Sequence, residues 1–548
     1  MIRIRDAGDS ALLLELREAI DPRINARAIA IAAAMRNAAV AGVRDVVSTY
    51  RSVAVYFDPL EADPAALRAA LARASETSSE VADGKTVEIP AAYGGQDGPD
   101  LETVAEWAGL SANAVAERHA STKYRVFMLG FLPGFAYLGS VDDRIAAPRR
   151  PTPRLRVPTG SVGIAGRQTG VYPRQSPGGW QIVGRTPLRL FDPDRVPAAL
   201  LAPGDSVRFV STSASELGSL DAAAHGNERG KPSDPAIRGS ARMITVLRPG
   251  LFTTVQDRGR WGYQASGVSV AGALDLVSHQ TANLLVGNGA DAATLEVTIS
   301  GPELRIEHVA RVAVMGADLQ ASIDGKPTPV GQPTDCRPGS VLRFGERKSG
   351  ARAYVAFDGG VDVPIVLGSR ATHTGAALGG LDGRALATGD RLTLGPPGAG
   401  RTARAIDPQA TMSRGGARLR VLAGPQDDFF PEGAFRLLEG TRFTVTPQSN
   451  RMGYRLSGAT LPRVAGREMI SDAAFAGALQ VPASGEPILL MGDRQTTGGY
   501  PQMATVITAD LPLAGQLAPG DWVEFSCCTR AEAIAALRDQ RAMLRGLA

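Results

Sequence analysis

The chain is short of cysteine, histidine, lysine and aromatic residues, and each shortage removes a class of function. Cys336, Cys527 and Cys528 are too few and too badly placed for a disulfide framework, which suits a reducing cytoplasm. The five histidines are scattered without metal-ligand spacing, so no zinc site is expected. Lysine occurs only at positions 85, 123, 231, 326 and 348, and the formal charge of +4 rests on thinly spread arginine. No basic run interleaves with aromatics, and nucleic acid is not an expected partner. No stretch approaches the ~18 apolar residues of a membrane span. The opening "MIRIRDAGDSALLLEL" has acidic residues where a signal peptide needs an apolar core. A cytoplasmic protein with no membrane association is the expectation.

What is present is an apolar content of 44% spread over 548 residues, enough for about three or four globular domains. The first 80 residues read as strand (Ala11–Leu16), helix (Pro22–Asn37), two strands (Val43–Ser48, Ser52–Phe57) and a second helix opened by Asp63-Pro64. That order predicts a small α+β domain over residues 1–82, of the split βαβ type. After Val87 short apolar strands punctuated by Gly and Pro predict a mainly β architecture, interrupted by a helical insert at Leu101–Ala120. A barrel is expected over 83–210, a flexible linker over 211–241, and two related barrels with a C-terminal helix (Ala531–Leu547) over 242–548.

Internal repeats support about three barrel units. "APGDSVRF" (Ala202–Phe209) returns as "APGDWVEF" (Ala518–Phe525) and more loosely as "RPGSVLRF" (Arg337–Phe344). "RWGYQASG" (Arg260–Gly267) is echoed by "RMGYRLSG" (Arg451–Gly458). The loop "GRQTGVYPRQSPGGWQIVGRTP" (Gly166–Pro187) is matched through its "RQTG" by "DRQTTGGYP" (Asp493–Pro501). Such a loop has no histidine, cysteine or carboxylate of its own, and repeated turn chemistry explains it as well as function does.

Longer motifs carry a resemblance. "GFLPGFAYL" and "PRLRVPTGSVGIAGRQTGVYPRQSPGGWQIVGRTP" resemble the allophanate hydrolase subunit 1, KipI-like or 5-oxoprolinase B-type family. "PGLFTTVQDRGRWGYQASGVSVAGALD", "ANLLVGN", "QSNRMGYRLSG" and "GDRQTTGGYPQMATVITAD" resemble the allophanate hydrolase subunit 2, KipA-like or 5-oxoprolinase C-type family. The chain looks like a fusion of the B-type and C-type polypeptides of 5-oxoprolinase, which implies cyclophilin-like β-barrels behind the small α/β domain. It also implies an ATP-dependent 5-oxoprolinase component working with a separate, LamB/YcsF-like A-type polypeptide. ATP with Mg²⁺ would be the cosubstrate, with no tightly bound cofactor, and a homo-oligomer is compatible with it. Two other roles attach to the same families. One is the carboxyltransferase of a biotin-dependent urea carboxylase, though the chain carries no Met-Lys-Met biotinylation motif. The other is a Kip-type regulator of a histidine kinase.

Activating a lactam by phosphorylating its oxygen asks a protein for positioning and charge stabilisation rather than a nucleophile. Backbone amides and arginines supply both, so Arg154, Gln168, Thr169, Tyr172 and Arg185 are expected at a substrate or nucleotide pocket, with Arg260, Asn450, Arg451, Gln495, Thr496 and Tyr500 as the later set. The carboxylates Asp257, Asp275, Glu296 and Asp493 are the catalytic candidates. Asp275 opens a helix and reads as an N-cap or as a Mg²⁺- or water-orienting carboxylate. Glu296 lies in an alternating strand, solvated if it points outward and a general base of raised pKa if it points inward. His119 ends a helix and reads as a surface cap or a catalytic group. The aromatics of "GFLPGFAYL" read as core or as a pocket wall. Gly84-Lys85-Thr86 lacks the first glycine of a phosphate-binding loop, which makes Lys85 a surface residue.

Overall fold

The computed structural model describes residues 2–77, 84–213, 215–218, 242–398 and 415–547; most of the expected linker, at 214 and 219–241, lies outside the described residues. The N-terminal unit is a four-stranded antiparallel sheet in the order Arg3–Asp6, Ala11–Glu15, Ser52–Phe57, Val43–Ser48. Helices Pro22–Asn37 and Pro64–Thr77 cover one face, the first capped by Asp21, whose side chain accepts from the backbone N–H of Arg23 and Ile24. The strand Ala11–Glu15 is buried at every position rather than at alternate ones. Leu12 and Leu14 face the helices, while Ala11 and Leu13 pack with Val47, Ala54 and Tyr56 against Ala473, Ala474 and Phe475 of the last barrel. A sheet covered on both sides needs apolar residues on both, at roughly 1.5–3 kcal/mol for each large side chain fully buried.

Two closed seven-stranded barrels follow, with one topology. In the first, Thr86–Tyr93 lies parallel to Ser206–Ser211, and the ring continues through Lys123–Leu129, Ala136–Gly139, Gln168–Val171, Ser161–Ala165 and Gln181–Arg185. In the last, Gly416–Ala423 lies parallel to Trp522–Cys527, followed by Phe443–Val445, Gly453–Ser457, Ile488–Leu490, Ala478–Gln480 and Gln502–Val506. The Pro-Gly repeats "APGDSVRF" and "APGDWVEF" therefore supply the same parallel strand in both. Each barrel also carries a two-stranded flap at the same place in the order, Arg154–Val157 with Ser176–Gly178 and Asp472–Ala473 with Thr497–Gly498.

The flap corrects one expected correspondence. "RQTG" at Arg167–Gly170 is a barrel strand, whereas "RQTTGG" at Arg494–Gly499 is a flap; its topological counterpart is Arg174–Gly179, "RQSPGG". The echo of Arg260–Gly267 in Arg451–Gly458 is likewise no structural equivalence: the first is a loop with a single 3₁₀ turn at Gln264–Ser266, the second runs into the strand Gly453–Ser457.

Between the barrels the chain builds two sheets, of seven and five strands, enclosing a core of Val255, Leu295, Leu304, Val314 and Phe357. In place of the third barrel that the repeats predict, the strands of this middle unit pair only antiparallel among the described residues. The helix Leu276–Leu285 covers the outer face of the five-stranded sheet. The helical insert divides at Gly109 into Leu101–Ala108 and Ala112–Ser121. The C-terminal helix Arg530–Leu547 clasps the ends of the chain: Arg530 bonds Asp6, and Arg541 bonds Asp58. No helix among the described residues is long and apolar enough to cross a membrane.

Candidate functional site

The loop Gln256–Asp275 of the middle unit brings together the four carboxylate candidates, Asp257, Asp275, Glu296 and Asp493, with Arg260 and Arg451. It turns at Gly259, whose φ is +84° and where a Cβ would sit 2.7 Å from the Val270 carbonyl oxygen. Asp257 holds that turn and its neighbour loop, accepting from Gly259 N–H (2.8 Å), the Ser369 hydroxyl (2.7 Å) and Arg370 N–H (2.6 Å). Arg260 is 1% exposed; its guanidinium donates to the carbonyls of Ala371 and Val366, and Nη1 has no partner. It forms no ion pair among the described residues, and burial lowers its pKa while Asp257 and Asp493 oppose the shift. A buried guanidinium met by neutral acceptors alone is costly and is an anion's natural partner.

Beside it runs a buried charge network. Glu296 projects inward and is fully buried, accepting from Arg451, from Leu274 N–H at 3.0 Å and from the Tyr354 hydroxyl at 2.8 Å. Arg451 also grips Asp493 through two bonds of 3.1 Å and donates to the Gly272 carbonyl. This corrects the expectation of a raised pKa for an inward Glu296. Burial favours its neutral acid, but Arg451 and Arg352 pull it below the ordinary carboxylate value. Burial likewise works against charge on Arg451, yet Asp493 and Glu296 hold its pKa well above the ordinary value. A carboxylate so tightly paired is a poor base. Asp275 caps its helix, accepting from Ser278 N–H at 2.9 Å on one oxygen and, on the other, from the Ser278 hydroxyl at 2.6 Å and the Gln516 amide at 2.7 Å. Burial raises its pKa against those bonds.

His373 is a member of the cluster that the sequence does not announce. It is 5% exposed, with Nδ1 unpartnered, and burial lowers its pKa; Asp493 opposes that shift while Arg260, Arg451 and Arg174 add to it. Arg174 reaches from the flap of the first barrel across the seam and donates to the Ala376 carbonyl. Thr374, Gly375, Arg174 and Gln175 are not buried, so this cluster lies just under the surface. Nothing in "ATHTG" marks His373 by spacing; its partners lie far away in the chain.

The remaining candidates of the first barrel are dispersed. Arg154 forms a fork with buried Asp100 (2.8 and 2.7 Å), which Arg150 also bonds, and Arg185 donates to the Thr159 carbonyl at 3.2 Å. Gln168 donates to the Tyr50 hydroxyl at 2.5 Å, and Tyr172 sits in a cluster with Phe131, Phe135 and Trp180. Thr169 bonds His119 at 2.8 Å. His119 is fully buried between Thr169 and the Tyr93 hydroxyl, which overturns its reading as a surface cap; burial lowers its pKa to about 3. In the last barrel Asn450 caps a turn at Met452 N–H, Thr496 is buried with an unpartnered hydroxyl, Gln495 lies against Gly498, and Tyr500 is exposed. The two barrels touch where Gly130 meets Thr497: a Cβ at Gly130 would lie 1.9 Å from the Thr497 hydroxyl oxygen, so only glycine fits.

Resident metal does not fit these residues. No group of three or more His, Cys, Asp or Glu side chains among the described residues is placed to hold an ion, and Asp257, Asp275 and Asp493 are occupied by protein donors.

Two closed barrels of one strand order, meeting where Gly130 faces Thr497, define a mainly β protein of two related halves. Residues 2–201 match the model described as carboxyltransferase domain, subdomain C and D, and residues 266–527 match carboxyltransferase domain, subdomain A and B. The chain belongs to this carboxyltransferase-domain family and joins the B-type and C-type regions of 5-oxoprolinase in one polypeptide. It is 39% identical to the 5-oxoprolinase C polypeptide of Escherichia coli K12 over 56% of this chain and 98% of that one. To the 5-oxoprolinase B polypeptide of Bacillus subtilis it is 41% identical over 38% of this chain and 93% of that one. Urea amidolyase of Lachancea kluyveri is 33% identical over 51% of this chain but 16% of its own length. The crystal structure of TTHA0988 superposes with a TM-score of 0.81 at 35% identity, covering 96% of this chain and 100% of that one.

Proposed function

We propose that the chain is the fused B-type and C-type component of an ATP-dependent 5-oxoprolinase, acting with a separate A-type polypeptide in the cytoplasm. Residues 1–210 form the B-like part and 242–548 the C-like part. The γ-phosphoryl group of ATP passes to the lactam oxygen of 5-oxoproline. Water then adds to the activated ring carbon and the ring C–N bond breaks, its nitrogen taking a proton, which leaves a γ-glutamyl phosphate; a second water hydrolyses that acyl phosphate, giving glutamate, ADP and phosphate. Mg²⁺ enters with the nucleotide as part of the substrate.

The observation that supports this reading most is the pair of unpartnered nitrogens at the seam, Arg260 Nη1 and His373 Nδ1, beside Arg174, which reaches from the other half to the Ala376 carbonyl. Donors already fixed in place stabilise a developing anion without reorganising. In this reading Arg260, Arg174 and His373 meet the carboxylate or phosphoryl oxygens, and Glu296, Arg451 and Asp493 hold the loops that carry them. Thr497 against Gly130 fixes the contact between the two barrels.

The test is co-expression with the A-type polypeptide and measurement of glutamate and ADP formed from 5-oxoproline and ATP. Turnover is expected only with both proteins present. The similarity to urea amidolyase supports a second reading, a carboxyltransferase for urea. Urea-dependent turnover with a biotinylated carrier, and none with 5-oxoproline, would replace the first reading by the second.

A further inference from the structure

A cleft of about 500 Å³ lies where the N-terminal sheet, the middle unit, the last barrel and the C-terminal helix meet. Its volume falls in the roughly 300–1,000 Å³ range of small-molecule sites. Leu274, Val277, Leu490, Leu511 and Leu537 make its apolar floor. Trp261 stands at one side, with Arg44 stacked over its ring at 5.1 Å. Its charged lining is four arginines, Arg44, Arg258, Arg494 and Arg541, against one acid, Asp291. Arg258 pairs with Asp291 at 2.8 Å, and Arg44 and Arg541 share the carboxylate of Asp58, with Glu61 at 4.0 Å from Arg541. Arg494 is different. It is 3% exposed and pairs with no carboxylate among the described residues; it donates to the Ala474 carbonyl at 3.2 Å and to Gln264 Oε1 at 2.8 Å.

The cleft is separate from the seam cluster but shares a wall with it. Gly259 and Trp261 line the cleft, whereas Arg260 between them bonds Val366 and Ala371. Gly492 and Arg494 line it, whereas Asp493 between them holds Arg451. An apolar floor beneath a surplus of arginine suits one kind of molecule.

We infer that this cleft binds an amphipathic organic anion, its apolar or aromatic body on the leucine floor and its acid group at Arg494 and the Arg44–Arg541 rim. The same chemistry is offered by a nucleotide and by an acyl carboxylate. This site goes beyond the proposed 5-oxoprolinase activity and is read independently of it.

The probe is 8-anilinonaphthalene-1-sulfonate, which joins aromatic rings to one anion, titrated into the native full-length chain by fluorescence. Saturable binding at one site is expected, weakened at least about tenfold in Arg494→Gln, as losing a charged hydrogen bond predicts. Leu544→Glu, at a position of the cleft on the C-terminal helix that lies outside the core, should weaken it similarly, with circular dichroism checking the fold of both variants. Displacement by ADP alone assigns the site to nucleotides, by decanoate alone to acyl acids, and by both to the shared chemistry. Equal binding in wild type and the folded variants, or displacement by neither competitor, overturns the inference.

Discussion

The two closed barrels carry seven strands in one order, yet the arginine that follows the fifth strand of each has opposite surroundings. Arg174 in the first lies near the surface and reaches over the seam to the Ala376 carbonyl. Arg494 in the last is 3% exposed and held by Ala474 and Gln264. The difference comes from what covers each flap. The N-terminal sheet lies against Ala473 and Phe475 beside the second flap, while the first flap stands at the edge of the middle unit's Thr374–Ala376 loop. Duplication kept the hydrogen-bonded frame and left burial to decide the chemistry of an equivalent side chain.

The sharpest way to break this comparison is to remove the charge network found only in the C-like half. Arg451→Met leaves Asp493 buried without its cation and Glu296 with only the more distant Arg352, and should cost about 3–5 kcal/mol in urea unfolding. Arg260→Gln should do the reverse. Its guanidinium pairs with no carboxylate among the described residues, so the melting temperature should hold or rise, while turnover with the A-type polypeptide falls about 10²–10³-fold. Arg174→Gln, at the outer end of the same cluster, should reduce turnover by about tenfold with no change in unfolding.

A pH titration sharpens the contrast differently. His119 in the B-like half, and His279 and His373 in the C-like half, are buried, with pKa lowered by burial to about 3, to about 4, and below the ordinary value. The unfolded chain protonates them below about pH 6.5 and the folded chain does not. Stability should fall as pH drops from about 6.5 towards 4, by up to about 1.4 kcal/mol per pH unit for each histidine. His119→Phe should flatten that slope in urea unfolding series at several pH values; an unchanged slope would mean that His119 takes up its proton in the folded state. The smallest effect belongs to Asp275→Ala, which removes a helix cap and should cost about 0.5–2 kcal/mol in the same assay.

What was legible in the sequence follows the range of the forces involved. Helix Pro22–Asn37 and strands Val43–Ser48 and Ser52–Phe57 have the bounds their periodicity predicts, because cap, alternation and turn are local. The Pro-Gly repeats marked equivalent strands because a turn and three alternating residues fix a register. "RQTG" misled because four polar residues carry no register, and only strand order shows that Arg174, not Arg167, answers to Arg494. Glu296 was legible as a strand residue but not in its ionisation, which depends on Arg451, 155 positions away. His373 gave no signal at all, since its significance lies in Arg260, Asp493 and Arg174, each on a different loop.

The central claim is that the seam between the halves, and not either barrel alone, holds the reacting anion. It is tested most directly by glutamate formation from 5-oxoproline and ATP by Arg260→Gln with the A-type polypeptide, beside the wild type, both confirmed folded by their melting curves. A fall of about a hundredfold or more at an unchanged or higher melting temperature is the predicted result. Wild-type turnover in a folded Arg260→Gln chain would contradict it.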